Sequence, residues 1–191
     1  MNPQQNLQQG PDQSLGQNLQ QSPNQNQRPP VILVADGSCD AVSEFGTWAA
    51  VAVTAKTRKI FYGMCYPTTI SRCELTPILE GLRWIRAEMA DLKGTRVRII
   101  SDSQFTIQTL AGMYEAKKNL DLWSAVRTAS QGLKLDAMWR SRNSHPLMEI
   151  CDSVAHALRE SIYGNKAIHE AVKYTAERYL TAIKNEEILA I

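Results

Sequence analysis

The chain has no uninterrupted apolar run of the roughly 20 residues that a bilayer-spanning helix needs, so no membrane span is expected. It has no cysteine pair in CxxC spacing: Cys39, Cys65, Cys73 and Cys151 stand apart. That argues against a disulfide framework or a zinc knuckle and for reduced, mostly packed thiols. It begins with no basic segment followed by an apolar one, as a secretory leader would. Together these features point to an intracellular protein, cytoplasmic or nuclear, and not a secreted one. Charge of one sign is also lacking: 21 Lys and Arg face 19 Asp and Glu, for a net +2. No strong field advertises an anionic partner, although a nucleic-acid site needs only local charge. Residues 1–30 lack almost everything that builds a core. Half of them are Gln or Asn, and only Asp12 and Arg28 are charged. Such a segment cannot bury enough apolar area to offset its ordering entropy, so a disordered Gln/Asn-rich tail is expected.

What is present begins at residue 31. "VILVADG" reads as a buried strand, "FGTWAAVAVTA" as a second and "KIFYGMCYPTT" as a third, with the short polar link "KTRK" marking an antiparallel hairpin. Leu75, Ile78, Leu79, Leu82, Ile85 and Met89 recur at helical spacing, and Lys93-Gly94 is expected to close that helix. "TRVRIISD" reads as a fourth strand, "SQFTIQTLAGMYE" and "NLDLWSAVRTASQGL" as helices, and "KLDAMWRSR" as a fifth strand. A helix follows with Leu147, Ile150, Val154 and Leu158 on one face. The order β-β-β-α-β-α-α-β-α predicts an α/β domain over 31–163. Three antiparallel strands come first, then crossovers add parallel ones to a five-stranded mixed sheet flanked by helices. Residues 164–191 read as one more amphipathic helix, with a stripe of Ile168, Val172, Ala176, Tyr179 and Ile183 that packs on the domain or meets a partner.

Two of the predicted strands end on a carboxylate, Asp36 and Asp102. Adjacent strands lie about 5 Å apart, and the crevice beyond the ends of parallel strands is where such sheets place ligands. Glu74, early in the first helix, and Asp152, in the first turns of the fourth, add two more acids. Each has a plain structural reading. Asp36 before Gly37 is a turn residue; Glu74 completes a capping box with Ser71; Asp102 caps the helix beginning "SQF"; Asp152 is a surface position. Four such residues at the same kind of place make the joint structural reading the weaker one. Converging carboxylates repel one another, and divalent cations offset that. Hard oxygen donors select Mg²⁺, or Mn²⁺ in its place. Four acids around one point suit two such ions, which activate water and stabilise both oxygens of a phosphodiester exchange.

These segments resemble the type 1 ribonuclease H family. "ADGSC" is similar to its first-strand motif, "SRCEL" to the segment with its glutamate, "SDSQF" to that with its second aspartate, and "HPLMEICDSVA" to its last-helix motif; "NLDLW" resembles the start of a family helix. The motifs occur in the family's order over about residues 31–160. The resemblance implies a ribonuclease H-like sheet and cleavage of the RNA strand of RNA–DNA hybrids by a two-metal mechanism. Asp36, Glu74, Asp102 and Asp152 would hold two Mg²⁺ ions. It further implies that Gly37, Ser38 and Cys39 meet the RNA strand, that Ser71, Ser103 and Gln104 approach the minor groove and ribose hydroxyls, and that Thr69 helps hold a DNA-strand phosphate. Such contacts suit a duplex read by shape, 2′-hydroxyls and phosphates.

The sequence departs from the family pattern in the loop after the fifth strand. Where the family often has a histidine, Arg142 stands, suited to holding a phosphate; His145 lies nearby as a candidate accessory group. Between Asp102 and Asp121 only "EAKKN" stands in place of the basic, Trp-rich protrusion of some family members. Pro77 is awkward inside a helix beginning near Ser71, so that helix is expected to start at Thr76 or to kink. The alternatives to hybrid cleavage are a hybrid- or duplex-binding domain of the same fold with little activity, and a related nuclease acting on DNA.

Overall fold

The computed structural model describes residues 31–89 and 92–163. The expectations for the tail at 1–30 and the helix at 164–191 lie outside the described residues. Five strands form one sheet in the order β3-β2-β1-β4-β5, where β1 is Val31–Asp40, β2 Phe45–Val53, β3 Arg58–Cys65, β4 Arg96–Ser101 and β5 Lys134–Trp139. The helices are α1 Ile70–Glu88, α2 Gln104–Leu110, α3 Leu120–Ala129 and α4 Pro146–Tyr163. β1, β2 and β3 are antiparallel neighbours, and β4 and β5 add in parallel. Among the described residues, no helix is long and apolar enough to cross a membrane.

β1 is apolar without alternation because both faces of the sheet are covered. Its odd residues, Val31, Leu33 and Ala35, join Leu75, Ile78, Leu82 and Ile85 of α1 and Trp123 and Val126 of α3 in one core. Its even residues, Ile32 and Val34, join Leu147, Ile150, Val154 and Leu158 of α4 in a second core across the sheet. The small residues of β2 divide the same way, Ala50 and Ala52 toward α1, Ala49 and Val51 toward α4.

Several element bounds differ from the sequence reading. β1 does not end at Asp36. It runs on to Asp40, paired with β2 as far as Asp40↔Phe45, because the antiparallel ladder continues after the parallel ladder with β4 has stopped at Val34↔Ile100. α1 starts at Ile70 rather than Thr76 and runs through Pro77. It stops at Glu88, before Lys93-Gly94, with Met89 in extended backbone. α2 stops at Leu110, since Gly112 turns the chain with φ +76°.

The passage of α1 through Pro77 leaves one carbonyl facing β1. Proline lacks the N–H that would bond the carbonyl four residues earlier, which is that of Cys73. Gly37 of β1 packs against that same carbonyl: a Cβ built on Gly37 would stand 2.3 Å from the Cys73 oxygen and 2.8 Å from the Glu74 nitrogen. A bare glycine thus brings β1 and the start of α1 into backbone contact beside Asp36 and Glu74.

Candidate active site

Asp36 and Asp102 each lie two residues past the last parallel pair, Val34 and Ile100, so the register puts them side by side at the end of the parallel ladder. Asp36 shares the parity of Ile32 and Val34, which places it toward α4, the helix that carries Asp152. Glu74 comes in from α1 over the strand ends. The four acids thus come from β1, α1, the link after β4 and α4, toward the same end of the parallel ladder.

None of the plain structural readings describes the three inner acids. Asp36 sits within a paired strand, opposite Ala49, and is 2% exposed. The N-cap position of α1 is Thr69, and Glu74 accepts a short bond of 2.5 Å from the Ser103 hydroxyl. The N-cap of α2 is Ser103, not Asp102. Asp152 is half-exposed, at 47% of its side chain.

One cation lies among these acids. The Arg142 guanidinium reaches Asp36 at 3.5 Å, Asp102 at 3.3 Å and Asp152 at 3.5 Å. Among the described residues, no three His, Cys, Asp or Glu side chains converge as a ready-formed metal cage. The aspartates are spread around a monocation whose charge offsets theirs. The offset is incomplete. Burial first, and then the charge of Asp102, push the Asp36 carboxyl from 3.8 up to about 7, against the opposing pull of Arg142. Burial likewise raises Glu74, although the Ser103 hydroxyl favours its charged form.

This shift sets a pH dependence of stability. Asp36 binds its proton more tightly in the folded chain than in the unfolded one, so the folded state carries no penalty below about pH 4. The penalty grows as pH rises through the window to about 7 and is complete above it. Asp36→Asn removes the charge while keeping the shape. In EDTA at pH 8 it should gain about 2 kcal/mol after local relaxation, or roughly 4–8 °C in melting temperature, and at pH 5 most of that gain should vanish. A variant no more stable at pH 8 than the parent would mean that Asp36 is not held under strain of charge.

The other residues singled out in the sequence fall into three places. Ser103 is buried, with its hydroxyl committed to Glu74 and to Thr106. Ser38, toward α4, accepts a 3.0 Å bond from Arg159. Cys39 is half-buried toward α1, and Gln104 is exposed at the start of α2. Thr69 and Ser71 line a groove of about 840 Å³ between α1, α2 and α3, together with Phe105, Lys117, Lys118 and Asn119. The fork of Arg72 onto Asp121, at 2.8 and 3.1 Å, ties the first turn of α1 to α3 beside this groove. His145 is engaged at the start of α4, where its Nδ1 accepts the Leu147 N–H at 3.1 Å and its carbonyl accepts from Met148. Burial, and then Arg140, lower its pKa.

Two residues at the site escaped the sequence reading. The Trp139 indole N–H donates to the Asp102 carbonyl at 3.0 Å, holding the backbone that carries that acid. Thr106 supports Ser103, and through it Glu74. For Trp139 the only signal is register: the pairing Ser101↔Trp139 puts it beside Asp102, and no spacing in the sequence reveals that.

The chain is similar to known proteins on both sequence and fold. A ribonuclease H of Cupriavidus necator is 30% identical over 146 residues, covering 69% of this chain and 97% of its own. A ribonuclease HI of Campylobacter jejuni is 28% identical over 132 residues, 64% of this chain and 86% of its own. Among solved structures, the N-terminal RNase H domain of a Mycobacterium tuberculosis protein shares the fold at a TM-score of 0.58 and 17% identity, covering 78% of this chain and 97% of that one. The family model described as RNase H matches residues 28–177. That span takes in every strand and helix described above, and the chain belongs to the RNase H family.

Proposed function

We propose that this RNase H enzyme hydrolyses the RNA strand of RNA–DNA hybrids in a divalent-metal-dependent reaction, with Asp36, Glu74, Asp102 and Asp152 holding two cations. The observation that carries this reading is the buried Asp36 carboxyl, pushed up to about 7 among other acids. A carboxylate so placed needs more positive charge beside it to stay ionised at neutral pH than one guanidinium provides. The donor set fits the group: all four side chains offer hard carboxylate oxygen, which suits Mg²⁺ and Mn²⁺. Bound there, such ions supply an activated water and charge stabilisation for the attacking and leaving oxygens.

The chain's own residues do the positioning. Ser103, backed by Thr106, aims Glu74. Trp139 holds the Asp102 backbone. The contact of Gly37 with Cys73 keeps Asp36 and Glu74 close. The groove beside the acids, with Thr69, Ser71, Asn119, Lys117 and Lys118 along it, offers hydroxyl, amide and ammonium groups to sugar and phosphate. The reading is tested by cleavage of labelled RNA–DNA hybrid, RNA duplex and DNA duplex in Mg²⁺, Mn²⁺ or EDTA. Cleavage of the RNA in the hybrid alone, abolished by EDTA, is expected. Cleavage of the DNA duplex, or activity persisting in EDTA, overturns it.

Arg142 stands where added cations would compete with it. Once displaced from the aspartates, its guanidinium is free to meet a substrate phosphate. Arg142→Ala should therefore tighten Mg²⁺ binding, by about three- to tenfold in calorimetry without substrate. It should also raise KM for the hybrid more than it lowers kcat, an effect that shrinks at high salt. Weaker Mg²⁺ binding in the variant would show that Arg142 supports the metal site instead of competing for it.

A further inference from the structure

Three of the four thiols meet at one point on the α1 face of the sheet. The register pairs Cys39 of β1 with Gly46 of β2, and Gly46 with Cys65 of β3, so a row Cys39–Gly46–Cys65 crosses three strands. Gly46 lacks a side chain, and the Cys73 sulfur of α1 fills that space: a Cβ built on Gly46 would stand 2.2 Å from it. Cys73 thus sits between two cysteines, each one strand spacing of about 4.8 Å to either side. All are free thiols; Cys73 is buried, while Cys39 and Cys65 are half-buried.

The two flanking thiols are not equivalent. Cys39 is pushed up, chiefly by burial, which outweighs the opposing effect of its own hydrogen bond with Cys73. Cys65 accepts a hydrogen bond from the Cys73 thiol, which foremost holds it down to about 6, with Thr76, Trp48 and the Arg72 charge adding to the effect. A thiol that is partly exposed, low in pKa and beside a second thiol is the kind that peroxides oxidise.

We propose that Cys65 and Cys73 are a peroxide-sensitive pair that closes to an intramolecular disulfide between β3 and α1. The Cys65 thiolate attacks the O–O bond of hydrogen peroxide, forming a sulfenic acid and releasing hydroxide, which takes up a proton to leave as water. The Cys73 sulfur then attacks the Cys65 sulfur, its proton leaves with the departing hydroxyl as a second water, and two electrons in all pass from the two thiols to the peroxide. Closure draws the sulfurs from hydrogen-bond contact to about 2.05 Å. That movement pulls on the first turns of α1 where Cys73 precedes Glu74 and its carbonyl rests against Gly37. A shift of about 1 Å in a positioned group costs on the order of 10²-fold in rate, so closure slows cleavage reversibly.

The test treats the full chain in EDTA with hydrogen peroxide, blocks remaining thiols with N-ethylmaleimide, and maps linked peptides by mass. The expected result is a Cys65–Cys73 link, loss of two hydrogens, two fewer alkylated thiols, and full reversal by dithiothreitol. Cys65→Ser should give no link while keeping its cleavage rate before peroxide. A Cys39–Cys73 link, linked dimers, or Cys65 oxidised to sulfinic acid without a link would overturn the pairing. The effect on rate rests on the proposed function, whereas the peptide map does not. Oxidised chain should cleave hybrid at least tenfold more slowly until reduced, and a mapped link with unchanged cleavage would overturn the coupling to Glu74.

Discussion

Asp102→Asn is expected to lower hybrid cleavage in Mg²⁺ by at least about 10³-fold, equivalent to about 4 kcal/mol of barrier, without unfolding the protein. Asp102 stands beside Asp36 at the end of the parallel ladder, and its backbone is held by Trp139. The substitution keeps the shape and the backbone contact, and it removes the charge through which the site would hold its cations. It also takes away the second cause of the raised Asp36 pKa, so the metal-free variant should melt no lower than the parent. Cleavage within tenfold of the parent in Mg²⁺, with an unchanged melting curve, would remove Asp102 from the metal site. A parallel loss in Trp139→Phe, smaller and unaccompanied by unfolding, would show that the indole N–H positions this acid.

The second large effect is structural. Gly37→Ala would place a Cβ 2.3 Å from the Cys73 carbonyl oxygen, and both partners are backbone. Neither a rotamer change nor a flexible tip can relieve that contact, so β1 and α1 have to part. Overpacking of this kind costs about 3 kcal/mol or more, which in a chain of this size lowers the melting temperature by roughly 6–12 °C. Gly81→Ala is the control. Its Cβ would press on the buried Leu33 side chain, 2.3 and 2.8 Å from its methyl carbons and 3.1 Å from its branch carbon, and a side chain yields further than backbone, so its loss should be smaller. Because the parting occurs between Asp36 and Glu74, Gly37→Ala should also lose activity out of proportion to its stability. Equal losses of stability for the two variants would show that the α1–β1 contact yields easily.

Much of this architecture was legible along the chain because it rests on local period. The continuous apolar run of β1, the helical stripe of α1 and the face of α4 each announce their element, and the nine elements among the described residues occur in the expected order. The four acids stand out along the chain because each follows an apolar run or falls in the early turns of a helical stripe, although Asp36 lies inside β1 rather than at its end. Residues such as Pro77 and Asp36 misled for the same reason: local chemistry argued for a helix start and a strand end. The helix runs on through Pro77, whose place in it only the structure gives, and β1 runs on because β2 continues to pair with it.

The order of elements, the two-faced burial of the sheet and the identity of the acidic residues therefore belong to the sequence, since periodicity and residue type are properties of neighbours along the chain. Only the tertiary structure decided what those residues meet. The parallel register of β1 with β4 sets Asp36 beside Asp102, and that of β4 with β5 brings Trp139 to the Asp102 carbonyl. The fold places Arg142 among three aspartates that precede or follow it by 10 to 106 residues. It also seats the Cys73 thiol on a glycine of β2, one strand from Cys39 on β1 and one from Cys65 on β3. Contacts over such separations arise from strand pairing and helix packing, and no local pattern encodes them.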